Sequence, residues 1–337
     1  MTTTPQGMQL TARCPEDLLA LAPVILGFWP ADSVVMMTFG AARPFHARLD
    51  LPPAAELDPC TLLGAEESLL GPAQQHEVQA VVLLYLTDDP CAALLVHEAL
   101  VLGCRRRGIR MVVAVAADGA EYSLLGPDGE LGPRTPYDVT AHPFVVQALV
   151  EGWIAHDTRE EMVASLEADP ALAGPVLEAL LDGGWEDTGP PIGARALRRH
   201  GTWAQATVRR VLDTGDVLRP VDVARLLWAV QAPRVRDAVG SLIERPTASG
   251  HARFWAEILR RCPDQLAAPP ATLLGWAAWL AGDGALAWAA VDRCRRVDPD
   301  CRLADSLARL LERAVAPNAW PGGADRMLGL PAERSER

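Results

Sequence analysis

The sequence predicts an α/β N-terminal domain, a mixed sheet with a βαβ unit, followed by an all-α, tetratricopeptide-like helical C-terminal domain. Three observations predict it. Two nearly continuous apolar runs, Gln79 to Thr87 and Ile109 to Ala117, flank a helical stretch that opens on Asp88, Asp89 and Pro90 and stops at Gly108. A strand, a helix and a strand in that order make a parallel pair with a right-handed crossover, and apolar runs of this kind suit strands covered on both faces. Beyond Pro136 nearly every segment repeats its apolar residues at helical period, and one late stretch has small residues where paired helices would touch.

Taken in order, Pro15, Glu16 and Asp17 suit a first helical turn, and Leu18, Leu19, Leu21, Ala22, Ile25 and Leu26 continue it as an apolar face with Pro23 inside. Gly27 ends that helix. Phe28 to Ser33 turns into a strand over Val34 to Phe39, and Gly40 to Pro44 leads to a second strand, Phe45 to Leu51, ended by Pro52 and Pro53. A helix is expected from about Cys60 to Leu70, then the βαβ unit. Gly126 to Pro136 is rich in glycine and proline and reads as a loop at the domain's edge.

The rear helices are expected at Pro143 to His156, Arg159 to Glu167, Pro175 to Leu181, Ala194 to Thr214, Pro220 to Val230, Pro233 to Ile243 and Ala252 to Arg261, and on to the end. Leu274, Gly275, Ala278, Ala287, Val291, Cys294 and Pro299 fit one tetratricopeptide-like unit, and the ending at Arg261, Cys262 and Pro263 resembles that at Arg296 to Pro299. The expected organisation is a disordered start (1–10), the α/β domain (11–140), connecting helices (141–182), a Gly/Pro linker (183–193), the repeat-like domain (194–320) and a disordered tail (321–337).

Composition excludes several function classes. The formal charge is −12, from 43 acids against 31 bases, so phosphate backbones and anionic membranes are disfavoured partners. All those bases are arginine, which removes lysine Schiff bases, pyridoxal-phosphate anchoring and a phosphate-loop lysine. The seven cysteines are scattered without a C-x-x-C pair and read as reduced residues of mostly apolar helices. Met1 to Leu10 has neither the basic start nor the apolar run of a signal peptide, and the apolar stretch from Leu273 to Val291 is broken by Gly282, Asp283 and Gly284. A cytoplasmic location without membrane contact is expected.

Leu18 to Leu21, Leu26 to Ser33 (LGFWPADS), Ala47 to Pro52 (ARLDLP) and Trp279 to Ala285 (WLAGDGA) together form distinctive phrases. In these the chain resembles the actinobacterial family called domain of unknown function 4192, from about Leu10 to Trp320. The resemblance implies an actinobacterial origin, in accord with the all-arginine composition, and brings no activity, cofactor or catalytic residue with it.

Complete catalytic motifs are missing from the sequence. There is no G-x-G-x-x-G after a strand, no phosphate loop and no G-x-S-x-G elbow. His97 and Glu98 open like a zinc-protease helix, but Val101 stands where the second ligand belongs, and the His156–Asp157 pair reads as a helix terminus. No cofactor and no metal site is expected. Two polar groups remain. On the second strand, alternation turns Ala47, Leu49 and Leu51 to the core and lines His46, Arg48 and Asp50 along the other face. Arg48 then either pairs with Asp50 or Asp32 near Ser33, or grips a carboxylate or phosphate beside Asp50 or His46 as base. The second group, Asp88, Asp89 and Asp118, follows the parallel strands at the end where open α/β sheets bind ligands, although Asp88 and Asp89 also suit a helix start. The sequence reading favours a non-enzymatic regulatory or adaptor protein whose helical half binds a protein partner. Its rival is a small-ligand-binding protein or enzyme using the strand ends.

Overall fold

In the computed structural model the described residues are 2–3, 9–42, 44–185 and 189–317. Most of the start and all of the tail expected to be disordered, 4–8 and 321–337, lie outside them. The chain divides into two units. Residues up to Glu161, with Glu312–Ala316, form the first, and Met162–Leu311 belong to the second.

In the first unit, Thr2–Thr3 (β1) and Gln9–Leu10 (β2) pair with each other. Helix α1, Pro15–Leu26, ends at Gly27, whose φ of 78° only glycine adopts freely, and whose N–H donates to Pro23 O at 2.9 Å. The six-stranded sheet then runs in the order β4-β3-β5-β6-β7-β8. Its members are β3 (Ser33–Phe39), β4 (His46–Asp50), β5 (Ala80–Leu86), β6 (Arg110–Ala117), β7 (Glu121–Leu124) and β8 (Thr135–Pro136). β3 lies between β4 and β5 and is antiparallel to both, while β5 and β6 are parallel. The mixed sheet and the strand, helix, strand unit expected from the sequence are therefore present.

Helix α2, Pro59–Gln75, is capped by Asp58, and α3, Pro90–Arg107, is capped by Asp89 and closed by Gly108 at φ 68°. Leu69, Leu70, Val96 and Leu100 of these helices pack with Val34, Met36, Val81, Leu83 and Tyr85 in one core on one face of the sheet. Val35, Met37, Val82 and Leu84 alternate to the other face and are equally buried, so both faces are covered.

The expected loop over Gly126 to Pro136 needs correction at its end, since Thr135–Pro136 is an edge strand paired with Tyr122 and Glu121. Its partner strand, Glu121–Leu124, was not expected either. The physical signal was Asp118-Gly119, a pair that favours tight hairpin turns, with Gly119 at φ 93°.

The second unit is helical. Helix α4, Pro143–Val150, still belongs to the first unit, and α5, Arg159–Ala164, spans the division. There follow α6 (Pro170–Asp182), α7 (Ala194–Thr214), α8 (Pro220–Val230), α9 (Pro233–Gly240), α10 (Ala248–Arg260), α11 (Ala268–Ala281), α12 (Gly284–Val297) and α13 (Arg302–Glu312). Helix α6 packs on α8, α7 on α9, and α11 on both α10 and α12. Helix α11 is buried nearly all round, and Gly275 is where others approach it: an added Cβ would lie 2.7 Å from Leu307 Cδ2 and 3.4 Å from Ala290 Cβ. Trp255, Trp276 and Trp279 are core residues, whereas Trp228 and Trp288 are half-buried.

The break at 183–193 lies inside the second unit. On one side of residues 186–188 the Trp185 ring stacks on Trp228, and on the other the Trp228 indole N–H donates to Gly189 O at 2.6 Å. Among the described residues, no helix is long and apolar enough to cross a membrane.

Candidate functional site

The register of four strands gathers most of the candidate residues at one end of the sheet. Asp50, Ser33, Leu86 and Ala117 form a single row across β4, β3, β5 and β6. Asp32 precedes that row, Thr87, Asp88 and Asp89 follow it, and so does Asp118. This is the carboxyl end of the parallel pair, where an open α/β sheet offers its crevice. His46 is elsewhere: it pairs with Met37, at the opposite end of β4.

β4 alternates as expected. Ala47, Leu49 and Leu51 pack on the core with α2 and α3, and His46, Arg48 and Asp50 turn to the other face. Arg48 is mostly buried, and its Nε donates to the hydroxyl of fully buried Ser33 at 2.9 Å. Its Nη1 meets Asp50 Oδ1 at 2.5 Å, and its guanidinium carbon lies 5.8 Å from the centroid of the Phe28 ring. Ser33 in turn donates to Ala31 O. The arginine thus bridges two strands, a buried hydroxyl at one end and an exposed carboxylate at the other. His46 is partly buried, and desolvation lowers its pKa to about 4, so it is neutral near pH 7. Its Nδ1 is shielded without a partner among the described residues.

Asp32 takes a left-handed backbone, φ 41°, and accepts from the Thr87 hydroxyl at 3.0 Å while its carbonyl accepts from Leu51 N–H at 2.7 Å. The Thr87 hydroxyl oxygen also accepts from Asp89 N–H at 3.1 Å. Asp89 uses both carboxylate oxygens on backbone: Oδ1 accepts from Cys91 and Ala92 N–H, and Oδ2 from Ala54 N–H at 2.9 Å. The Ala54 bond and then those of α3 hold its pKa below the ordinary carboxylate value. Asp118 likewise accepts from Ala120 and Glu121 N–H, and pairs with Arg134. Those bonds, Glu121's foremost, lower its pKa. Asp88 is exposed and has no partner among the described residues.

Three roles separate here. Asp89 caps a helix, Asp118 shapes a hairpin, and Arg48 ties Ser33 to Asp50. What remains open at the sheet's end is acid, namely Asp88, the outer face of Asp50 and the free side of Asp32. The Thr87 hydroxyl on Asp32 is a hydroxyl–carboxylate pair at this end, and no group of three or more His, Cys, Asp or Glu arranged to hold a metal ion is found among the described residues.

The family model described as domain of unknown function (DUF4192) matches residues 15–318. The chain belongs to the DUF4192 family. No curated protein and no solved structure matches it.

Two of the four phrases carrying the family resemblance, the turn from Leu26 into Ser33 and the β4 residues Ala47 to Pro52, meet at the sheet's acidic end, where Ser33 pairs with Asp50 and Leu51 N–H donates to Asp32 O, and a third, Leu18 to Leu21, lies in α1. The fourth, Trp279 to Ala285, is the turn between α11 and α12 in the helical unit, where Gly282 has φ 87° and Asp283 caps α12 through Leu286 N–H. The DUF4192 chain also holds a charged cluster between α2 and α3. Glu66 on α2 is buried and pairs with Arg106 and Arg107 on α3, and Arg107 also meets Glu67 at 2.7 Å. Desolvation works against the Glu66 charge, but the two arginines outweigh it and lower its pKa. Gly103 makes the room, because a Cβ there would fall 2.7 Å from the Glu66 carboxyl group. The available signal was a glycine one turn before two arginines, facing a helix whose apolar side carries an acid.

Proposed function

We propose that this DUF4192 protein is a non-enzymatic regulatory or adaptor protein of the actinobacterial cytoplasm, and that its helical unit binds a protein partner. The observation that carries this reading is a cavity of about 310 Å³ in the second unit, lined by Leu212, Val217, Leu218, Arg253, Phe254 and Ile258. Val217 at its rim is 82% exposed, unusual for a large aliphatic side chain next to an apolar hollow. The α11–α12 pair supports a tetratricopeptide-like character, since Gly275 lies at the helix contact, Ala278 and Ala287 are buried, and Pro299 follows the pair. The lysine-free composition supports the actinobacterial setting.

A photo-reactive residue introduced at Val217 tests the proposal in the native host. The expected result is a cross-linked protein partner that is lost with a second substitution in the cavity, Leu212→Asp, and kept with Asp88→Asn. A small molecule that co-purifies with the chain and disappears in Asp88→Asn, with no cross-link at Val217, would overturn it in favour of a ligand-binding protein or enzyme. One observation favours that second reading: Asp32 holds a left-handed backbone that costs a non-glycine residue energy, at the end of the sheet where ligands bind.

A further inference from the structure

Arg261 is the residue that ends α10, and 7% of it is exposed. Its N–H donates to Ile258 O at 3.2 Å, but its side chain makes no hydrogen bond, ion pair or ring contact among the described residues. Arg293, equally covered in the same unit, meets both Asp264 and Glu167. A covered guanidinium without a carboxylate costs stability, so the place of Arg261 calls for a partner from outside the fold.

That place is the cavity with the exposed Val217 at its rim. Arg261 lines it, and so does Arg253 on the same side of α10, where Arg253, Glu257 and Arg261 recur every fourth residue. Arg253 is exposed and likewise has no side-chain partner among the described residues. The two acids of the lining are already engaged. Glu257 faces Arg260 at 3.8 Å and Asp216 meets Arg210 at 3.1 Å, and neither of those arginines belongs to the lining. Buried Leu218, Phe254 and Ile258 supply apolar wall. In a chain of formal charge −12, the cavity thus couples an apolar surface to two guanidiniums whose donors are free.

We propose that this cavity receives the C-terminal residue of a protein partner, an aliphatic residue whose free carboxylate pairs with Arg261 and Arg253. The proposal rests on the reading that the helical unit binds its partner here. Charge identifies one pole of the occupant, since the fixed fork of a guanidinium matches a carboxylate and a covered, unpaired donor set rejects a neutral analogue. Volume identifies the other. About 310 Å³ is roughly twice the cavity that holds a benzene ring in a protein interior, which gives room for one or two leucine-sized side chains and none for a helix. A chain terminus meets both demands because it joins a carboxylate and an aliphatic side chain at a single Cα. An internal aspartate or glutamate would need a second residue for the apolar group and space for the chain to leave on both sides.

Acetyl-leucyl-leucine with its free carboxylate, compared with its C-terminal amide, tests the proposal on the full-length chain, with binding read from NMR shifts of the α10 amides. The acid is expected to shift the signals around Arg253 and Arg261 and to bind about tenfold or more tightly than the amide. Arg261→Met keeps an apolar stem and removes the charge, so it should erase that preference while leaving the melting temperature unchanged or higher. Arg253→Met should weaken the preference several-fold. Equal binding of acid and amide by the wild-type chain, or no shift with either, would overturn the proposal without any variant. So would a large fall in the melting temperature of Arg261→Met, because the guanidinium would then have a partner within the fold. Octanoate bound more tightly than the dipeptide would overturn the chain terminus in favour of a free acid. A protein cross-linked from Val217 alongside equal binding of acid and amide would leave the partner reading in place and remove this inference alone. A clear preference for the acid with no cross-linked protein would remove the partner, and this occupant with it.

Discussion

At position 48 a guanidinium joins a buried hydroxyl to an exposed carboxylate, and at positions 106 and 107 two guanidiniums meet a buried one. Burial makes these pairs unequal. Asp50 is 69% exposed, so water hydrates it when its partner goes, whereas the Glu66 side chain is 5% exposed. Asp50→Ala is therefore expected to cost less than about 1 kcal/mol, and Arg48→Ala about 1–2 kcal/mol, because it also removes the bond to Ser33. Glu66→Ala removes the buried partner of Arg107 and leaves it only the exposed Glu67, and should cost about 2–3 kcal/mol. Denaturant unfolding of the three variants and of the Arg48–Asp50 double mutant measures these differences. A coupling above about 2 kcal/mol between positions 48 and 50 would show that the pair behaves as a buried one. Sequence alternation found the Arg48 row, but the exposure of each partner depends on elements that alternation does not describe.

Among the helices, two glycines answer opposite demands. Gly64 on α2 is exposed, with nothing within 4 Å of an added Cβ, while Gly275 on α11 meets Leu307 and Ala290. Gly64→Ala is expected to stabilise the first unit by about 0.5–1 kcal/mol, because alanine loses less freedom on entering a helix. Gly275→Ala gains the same propensity and loses more to overpacking, since Leu307 is itself buried, for a net cost of about 1 kcal/mol. Hydrogen-exchange protection in α2 and in α11 reads each effect within its own unit. A stabilised Gly275→Ala would mean that Leu307 moves aside freely and that this helix contact is loose.

Across the molecule, pH acts on the two units differently. In the first, His46 has a folded pKa of about 4, below its ordinary 6.5, so the unfolded chain takes up the proton first. Its contribution is complete above pH 6.5 and is lost as the pH falls toward 4, up to about 2 kcal/mol by pH 5. His97, lowered by burial, adds in the same direction. In the second unit His251, also near 4, behaves alike, but desolvation raises Asp283 to about 6, and that group stabilises the fold at low pH and loses its contribution as the pH rises through 6. The first unit should therefore weaken more between pH 6.5 and 5. Hydrogen exchange at both pH values reads this unit by unit, and His46→Gln should flatten the first unit's response. Limited proteolysis is a second whole-chain test. We expect cleavage within 183–193 before any strand is cut, since glycine and proline there offer few apolar anchors. Resistance of that segment would mean that the Trp185 and Gly189 contacts with Trp228 hold it as firmly as the helices around it.

Local chemistry was legible wherever a few adjacent residues decide the outcome. Continuous apolar residues marked β5 and β6, Asp89 and Gly108 bracketed α3, Gly27 ended α1, and alternation set the two faces of β4. The phrases from Leu18 to Pro52 and at Trp279 pointed to the family by themselves. Strand order was not legible, because alternation says which face a side chain takes and nothing about which strand lies beside it. Only the tertiary structure put β3 between β4 and β5, and that order brings Asp32, Ser33 and Asp50 to the same end as Asp88, Asp89 and Asp118 while leaving His46 at the other. It also revealed which of those acids already serve the backbone, and the Glu66 cluster between α2 and α3. Each depends on groups that chain distance separates and packing reunites, and packing is decided by burial over the whole unit rather than by any one segment.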